Sequence, residues 1–270
     1  MSDLLDIADD LVGRVGQLRF AEPVTHVYNP LVYAREVYAE YLRRYARPRP
    51  EVLMFGMNPG PWGMTQTGVP FGEIPAVRDW LDLSGRIRRP RREHPRVPIL
   101  GFDCLRREVS GQRLWGWARD AFGTPRRFFE RFFVANYCPL VFLEASGRNR
   151  TPDKLPVGER TPLLACCDEA LRRTVEALRP KYVIGIGGFA AARARRVLVQ
   201  ESRTGPDALT KPGDPPFSRQ VAQSRDHQVI VGEILHPSPA SPAANRGWRE
   251  AIVAQLHELG IDVPKLAEHV

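Results

Sequence analysis

The stretch Gly56-Met57-Asn58-Pro59-Gly60-Pro61-Trp62-Gly63-Met64 holds one strongly polar side chain, Asn58, among residues that stiffen the backbone or let it approach a ligand closely. An amide offers one acceptor and two donors and cannot act as a strong base. It suits the positioning of a neutral group, such as a water, without ionising itself. A second stretch, His236-Pro237-Ser238-Pro239-Ala240-Ser241-Pro242, sets a single imidazole at the head of another proline-stiffened loop. Taken alone, each reads better as a turn or structural residue, because Asn favours turns and a lone His is usually structural. The pair reads differently. Both follow apolar runs with the character of buried strands, Val52-Leu53-Met54-Phe55 and Val229-Ile230-Val231-Gly232-Glu233-Ile234-Leu235. Ligands of open α/β sheets bind outside the carboxyl ends of the strands, so two such strands running parallel would bring Asn58 and His236 to one rim.

The elements that must hold this rim follow from the rest of the pattern. Residues 1–20 read as an amphipathic leader helix. Pro30 opens a helix whose stripe is Leu31, Ala34, Val37, Tyr38, Tyr41, Leu42 and Tyr45, stopped by Pro48 and Pro50. Strands are expected at 52–57, 132–136, 182–187 and 228–235. Helices are expected at 76–83, from Ser110 as cap, at 162–178 and at 189–200, with a last one carrying Ile252, Leu256 and Leu259. Residues 201–226, rich in Pro, Gly and Ser, read as a mobile loop. Apolar strands alternating with helices imply a mostly parallel sheet, covered by helices on both faces, with right-handed crossovers. No internal repeat and no second domain is visible, so one domain over 1–270 is expected. Gly185-x-Gly187-Gly188 departs from the dinucleotide-binding Gly-x-Gly-x-x-Gly pattern and reads as tight strand–helix packing.

At 43% hydrophobic and 26% charged, the chain has the balance of a soluble globular domain rather than a disordered or membrane protein. The acidic start, Met1-Ser2-Asp3-Leu4-Leu5-Asp6, lacks the order of a signal peptide. A cytoplasmic protein is expected, nucleoid-associated if the chain is bacterial, and no membrane partner. The net charge is +8, and only four of the 39 basic residues are lysine. Arg86, Arg88, Arg89, Arg91, Arg92 and Arg96 crowd one proline-punctuated loop. Such a cluster is the footprint of a nucleic-acid binder or simply a solvated loop, and the sequence supports either. Cys104, Cys138, Cys166 and Cys167 fit neither zinc nor iron–sulfur spacing and read as buried thiols.

Several ordered motifs together resemble the single-strand-selective monofunctional uracil-DNA glycosylases of the uracil-DNA glycosylase superfamily. They are Gly56-Met57-Asn58-Pro59-Gly60-Pro61 with Gly68-Val69-Pro70-Phe71-Gly72-Glu73, then Asn136-Tyr137-Cys138-Pro139-Leu140, Ser146-Gly147-Arg148-Asn149 and His236-Pro237-Ser238-Pro239. Weaker likeness runs from about Tyr28 to Trp248. The resemblance implies a three-layer α/β/α sandwich around a four-stranded, mostly parallel sheet. It further implies excision of uracil and some oxidised 5-substituted uracils from single-stranded and duplex DNA, with no metal, no cofactor and no lyase step. A monomer is expected.

On this resemblance Phe71 supplies the face on which the base stacks, and Asn136 pairs with uracil N3–H and O4. His236 donates to O2 as the departing base gains charge, and Asn58 holds the attacking water. The Met57 backbone offers an N–H, and Gly60 with Met64 shapes the floor near C5, where a glycine leaves room for a 5-substituent. Ser238, Pro239, Ala240, Ser241, Pro242, Asn245 and Arg246 match the loop that wedges into DNA, with Trp248 nearby. Two departures stand out: Ala240 where a larger, basic residue is expected, and Trp62 for another aromatic. Two other readings remain open at this stage, a relative that excises deaminated purines and a non-catalytic DNA-binding module. Asn58 and His236 weigh against the second, since binding alone needs neither. No lysine lies in the matched motifs, which disfavours a Schiff-base mechanism.

Overall fold

A computed structural model describes residues 2–199, 220–224 and 227–264. In chain order the elements are α1 (Ser2–Val15), β1 (Val24–Tyr28), α2 (Pro30–Tyr33), α3 (Arg35–Tyr45), β2 (Val52–Gly56), α4 (Met64–Thr67), α5 (Val109–Phe122), α6 (Pro125–Phe129) and β3 (Phe132–Asn136). There follow β4 (Val141–Glu144), β5 (Asn149–Arg150), α7 (Val157–Leu178), β6 (Tyr182–Ile186), α8 (Gly188–Ala194), β7 (Gln220–Ser224), β8 (His227–Ile234), α9 (Pro242–Asn245) and α10 (Trp248–Glu258). The central sheet has the order β3-β2-β6-β8-β7. Its first four strands are parallel, and β7 pairs antiparallel with β8.

Every residue of β2 and β6 is buried. That is why these strands read as unbroken apolar runs: a parallel sheet covered on both faces has no solvent side to alternate with. The helices lie against one another around it, α1 on α7 and α5 on α10. The strand ends come out where the apolar runs stop. Gly56 is in register with Asn136, so the loop after β2 and the turn after β3 leave the sheet side by side. β6 separates β2 from β8 and delivers Gly187 against the start of the His236 loop.

The mostly parallel α/β architecture is as expected, with differences of detail. The sheet has five strands rather than four, because Gln220–Ser224, read as part of a mobile loop, forms an edge strand; residues 201–219 lie outside the described residues. A second, antiparallel sheet, β1-β4-β5, had no sequence signal beyond three short segments. The single helix expected from Pro30 to Tyr45 is two. Ala34 leaves helical geometry (φ −107°, ψ 27°), and the Tyr33 carbonyl accepts from the Arg88 N–H at 2.8 Å. The helices expected at 76–83 and 189–200 widen in part, giving π-helical turns at Ala76–Trp80 and Arg195–Val199. α7 begins at Val157, five residues before Pro162. Ser110 is not the cap of α5; the Glu108 side chain is, accepting from the Gly111 N–H.

The packing reading of Gly185 holds. A Cβ there would lie 2.1 Å from the Ala191 nitrogen, because α8 crosses directly over the strand. Gly185→Ala is therefore expected to lower stability by about 2–3 kcal/mol, the cost of overpacking against a backbone that cannot yield. A urea melt showing less than a ~0.5 kcal/mol change would be inconsistent with this contact.

Candidate active site at the carboxyl edge of the sheet

A cavity of about 340 Å³ opens at this edge, lined by Met57, Asn58, Gly60, Met64, Phe71, Asn136, His236 and Ser238, with Pro59, Glu108, Ser110, Asn149 and Thr151. The two groups singled out from opposite ends of the chain thus share one wall-to-wall space.

Three polar groups in it, Asn58, His236 and Asn136, each have one edge engaged by the protein and one left over. The Asn58 Nδ2 donates to the Leu140 carbonyl at 3.1 Å. Because that carbonyl can only accept, the amide is held with its Oδ1 free as an acceptor. The His236 Nδ1 accepts from the Ser238 N–H at 3.1 Å. This fixes the tautomer with the proton on Nε2, the nitrogen left to act as a donor. Burial holds the imidazole neutral, its pKa pushed down to about 4. The Asn136 Nδ2 meets only the Met64 sulfur at 3.0 Å, a weak acceptor that a carbonyl oxygen can displace.

Phe71 supplies the flat wall. Its ring lies 6.2 Å from the His236 ring, tilted by 44°. Its backbone sits at φ 53°, a left-handed conformation rare for an aromatic. Three contacts hold it there: its carbonyl accepts from Trp115 Nε1 at 3.0 Å and from the Glu73 N–H at 2.7 Å, and Gly111 lies hard against it. Strain of this kind persists only where the surroundings over-determine it, and it gathers at functional sites. Gly56 makes the approach possible from the other side, since a Cβ there would stand 2.6 Å from Phe71 Cζ and 3.0 Å from Asn136 Oδ1.

Several contributors had no role in the sequence reading, although Asn149 stood in one of the matched motifs. Glu108 is half-buried at the wall beyond Gly60; desolvation raises its pKa, against the lowering effect of hydrogen bonds from Gly111 and Ser110. Asn149 donates from Nδ2 to the Pro59 carbonyl at 3.1 Å, tying the β4–β5 hairpin to the first loop. Arg113, on α5, donates to the Pro237 carbonyl at 3.0 Å and to Asn245 Oδ1 at 2.8 Å, stapling the second loop in place. A Glu at the N-cap of a Gly-containing helix was the one local signal available for Glu108.

The wedge-loop residues divide. Pro239, Ala240, Pro242, Asn245 and Arg246 are exposed, but three polar side chains serve the loop itself. Ser238 Oγ accepts from the Ala240 N–H, Ser241 caps α9, and Asn245 Nδ2 donates to the Pro239 carbonyl at 2.8 Å. Trp248 is not at the surface. It is buried at the head of α10 with its Nε1 donating to the Leu235 carbonyl at 2.7 Å.

Fold and site together define a doubly wound α/β protein with a carboxyl-edge pocket for a flat, neutral, hydrogen-bonding ring. A sequence profile of the uracil DNA glycosylase superfamily matches residues 43–257. The chain is 46% identical over 251 residues to a protein of Rattus norvegicus named single-strand selective monofunctional uracil-DNA glycosylase, covering 93% of this chain and 82% of that one. It is also 46% identical to the Bos taurus protein of the same name, over 91% of this chain and 81% of that one. A solved SMUG2 structure from Pedobacter heparinus is 17% identical with a TM-score of 0.48, over 71% of this chain and 80% of that chain. The chain belongs to the uracil-DNA glycosylase superfamily.

The half-buried imidazole makes stability depend on pH. Its folded pKa, about 4, lies below the ordinary 6.5, so its contribution is complete above pH 6.5 and is lost as pH falls toward 4. The loss should reach about 3 kcal/mol. Chemical melts between pH 7 and 4 should show this slope in the wild type and a shallower one in His236→Leu; parallel curves would contradict a neutral, half-buried imidazole.

Proposed function

We propose that this protein is a monofunctional DNA glycosylase that extrudes uracil from single-stranded or duplex DNA and hydrolyses its N-glycosidic bond. The observation that carries this reading is the convergence of Asn58 and His236 on one cavity with Phe71 and Asn136. A stacked base is out of reach, so it must be flipped into a pocket at a cost of about a few kcal/mol.

Within the pocket Phe71 takes one face of the ring. Asn136 accepts from N3–H through Oδ1 and turns its Nδ2 from the Met64 sulfur to O4; cytosine presents the opposite pattern and leaves polar groups mispaired. The Met57 backbone N–H adds a further donor. As the C1′–N1 bond breaks, its electron pair passes to the base and spreads onto O2, where the His236 Nε2–H donates. A neutral donor aimed at the developing charge favours the transition state over the ground state. Asn58 Oδ1 orients the water whose oxygen joins C1′, and the water's proton is released with the products. Among the described residues no lysine lines the cavity, in keeping with hydrolysis without a lyase step. The exposed loop from Ser238 to Arg246 meets the DNA at the mouth.

The space beside Gly60 extends the reading to 5-hydroxymethyluracil. A Cβ at Gly60 meets only Glu108, at 3.5 Å, so the wall stands back from the cavity there. Gly60→Tyr should abolish release of the hydroxymethylated base while uracil is still released; equal loss of both would refute this use of the space.

The catalytic assignment predicts that Asn58→Ala and His236→Leu each reduce excision about 10²–10³-fold while DNA binding persists. An oligonucleotide with one uracil, unpaired or opposite guanine or adenine, scored for abasic product after alkali, provides the measurement. Turnover at the wild-type rate in either variant would remove that residue from the mechanism.

A further inference from the structure

Beside the pocket lies a second concavity of about 950 Å³, lined by none of the His236-loop residues. Trp62, Arg96, Leu105, Arg106 and Arg148 line it, with Asp103 as its one carboxylate among the described residues. It shares a wall with the pocket. Gly60 and Asn149 face the pocket, while Trp62 and Arg148, one or two residues away on the same loops, face the groove.

The groove is built, not incidental. The Gln66 side chain is fully buried and makes four hydrogen bonds: Nε2 donates to the carbonyls of Pro61 (3.2 Å) and Pro98 (3.0 Å), and Oε1 accepts from the N–H groups of Leu100 (2.9 Å) and Gly101 (3.2 Å). One amide thereby fixes the loop carrying Trp62 to the end of the arginine-rich loop. Gly147 (φ 83°) closes the other side, so near that a Cβ would come within 3.1 Å of the Arg96 Cβ. Arg96 and Arg148 are thus held on adjoining backbones. The Arg106 guanidinium stacks 4.5 Å over the Trp62 ring, an arrangement that holds a cation in place without neutralising it. Among the described residues, none of Arg96, Arg106 and Arg148 is in an ion pair with an acidic side chain. Leu105 stands 97% exposed at the margin, an apolar surface with nothing packed on it.

We infer that this groove is a second subsite for DNA, taking the sugar-phosphate backbone and bases next to the flipped nucleotide on one side of the lesion. This rests on the glycosylase reading for its ligand. Fixed cations along the walls suit phosphates, and an apolar margin beside an arginine–tryptophan stack suits bases free of a partner strand. The arginine-rich loop, equally readable from sequence as a solvated face, here has one end fastened beside the active site.

The test is binding of a uracil-free, fluorescently labelled single strand of about fifteen nucleotides, long enough to cover a site of this kind, followed by anisotropy at several salt concentrations. Arg96→Ala with Arg148→Ala should weaken binding about tenfold and flatten the log–log salt slope by about 1.4, the loss of two phosphate contacts to a single strand. Arg96→Gln with Arg148→Gln should do the same, guarding against a folding defect in the first pair. Trp62→Ala should weaken binding about fivefold or more and Trp62→Phe should restore it, since either ring can hold Arg106.

In excision assays the loss falls on KM. Removing the nucleotides on one side of the uracil, 5′ or 3′, should reproduce it in the wild type and erase the difference between wild type and double variant. Unchanged affinity and salt slope in both double variants, or indifference to both truncations, would overturn the inference. So would an equal loss of binding to polyglutamate, which would mark a general polyanion patch. A wild type that binds DNA but releases no uracil would instead overturn the glycosylase reading and leave the groove standing.

Discussion

Two hydrogen bonds to the main chain give the pocket its chemical character. The Leu140 carbonyl takes one edge of the Asn58 amide, and the Ser238 N–H takes one edge of the His236 imidazole. What remains is an acceptor on one side and a donor on the other, both uncharged and both fixed in direction. Burial adds the second half of the constraint: an imidazole driven well below its ordinary pKa stays neutral over the physiological range. In a chain of net charge +8, no arginine or lysine among the described residues lines the reacting centre.

The sheet supplies the convergence and glycine supplies the closeness. β2 and β8 are separated by one strand, so their loops reach across β6 to the same space. Gly56 admits the Phe71 ring and the Asn136 carbonyl oxygen to the end of β2. Gly63 lets the Glu108 stem pass where a Cβ would lie 2.7 Å from its Cγ, and Gly111 fits beneath the Phe71 carbonyl. Behind them Tyr137 donates from its hydroxyl to Asp168 at 2.6 Å, and Arg193 pairs with the same carboxylate, so the end of β3 that presents Asn136 is anchored to α7 and α8.

What could be read from the chain alone was whatever has a strong local signature. β2, β3, β6 and β8 are continuous apolar runs because both of their faces are covered, and the two reactive loops announce themselves through Pro and Gly. Elements that depend on partners far away were silent. β1, β4 and β5 are two to five residues long and become strands only by pairing with one another. β7 is polar and drawn into the sheet by β8. Glu108 displaced Ser110 as the cap of α5 because its longer side chain reaches Gly111 from one residue outside the helix. Trp248, next to the loop matched to the DNA wedge, is buried at the head of α10, a placement its position in the sequence did not disclose. Gln66 had no sequence signal at all: its importance lies in four backbone partners on two separate loops.

The Leu140 carbonyl also limits what this centre can become. A carboxylate in place of the amide would be the stronger base, yet Asn58→Asp would set two acceptors face to face unless the new side chain kept a proton. Exchange of the water-holding group is therefore not a single evolutionary step. It requires a matching change in the connection after β3, 82 residues further along the chain, so that the ancestry of one position is bound to that of another.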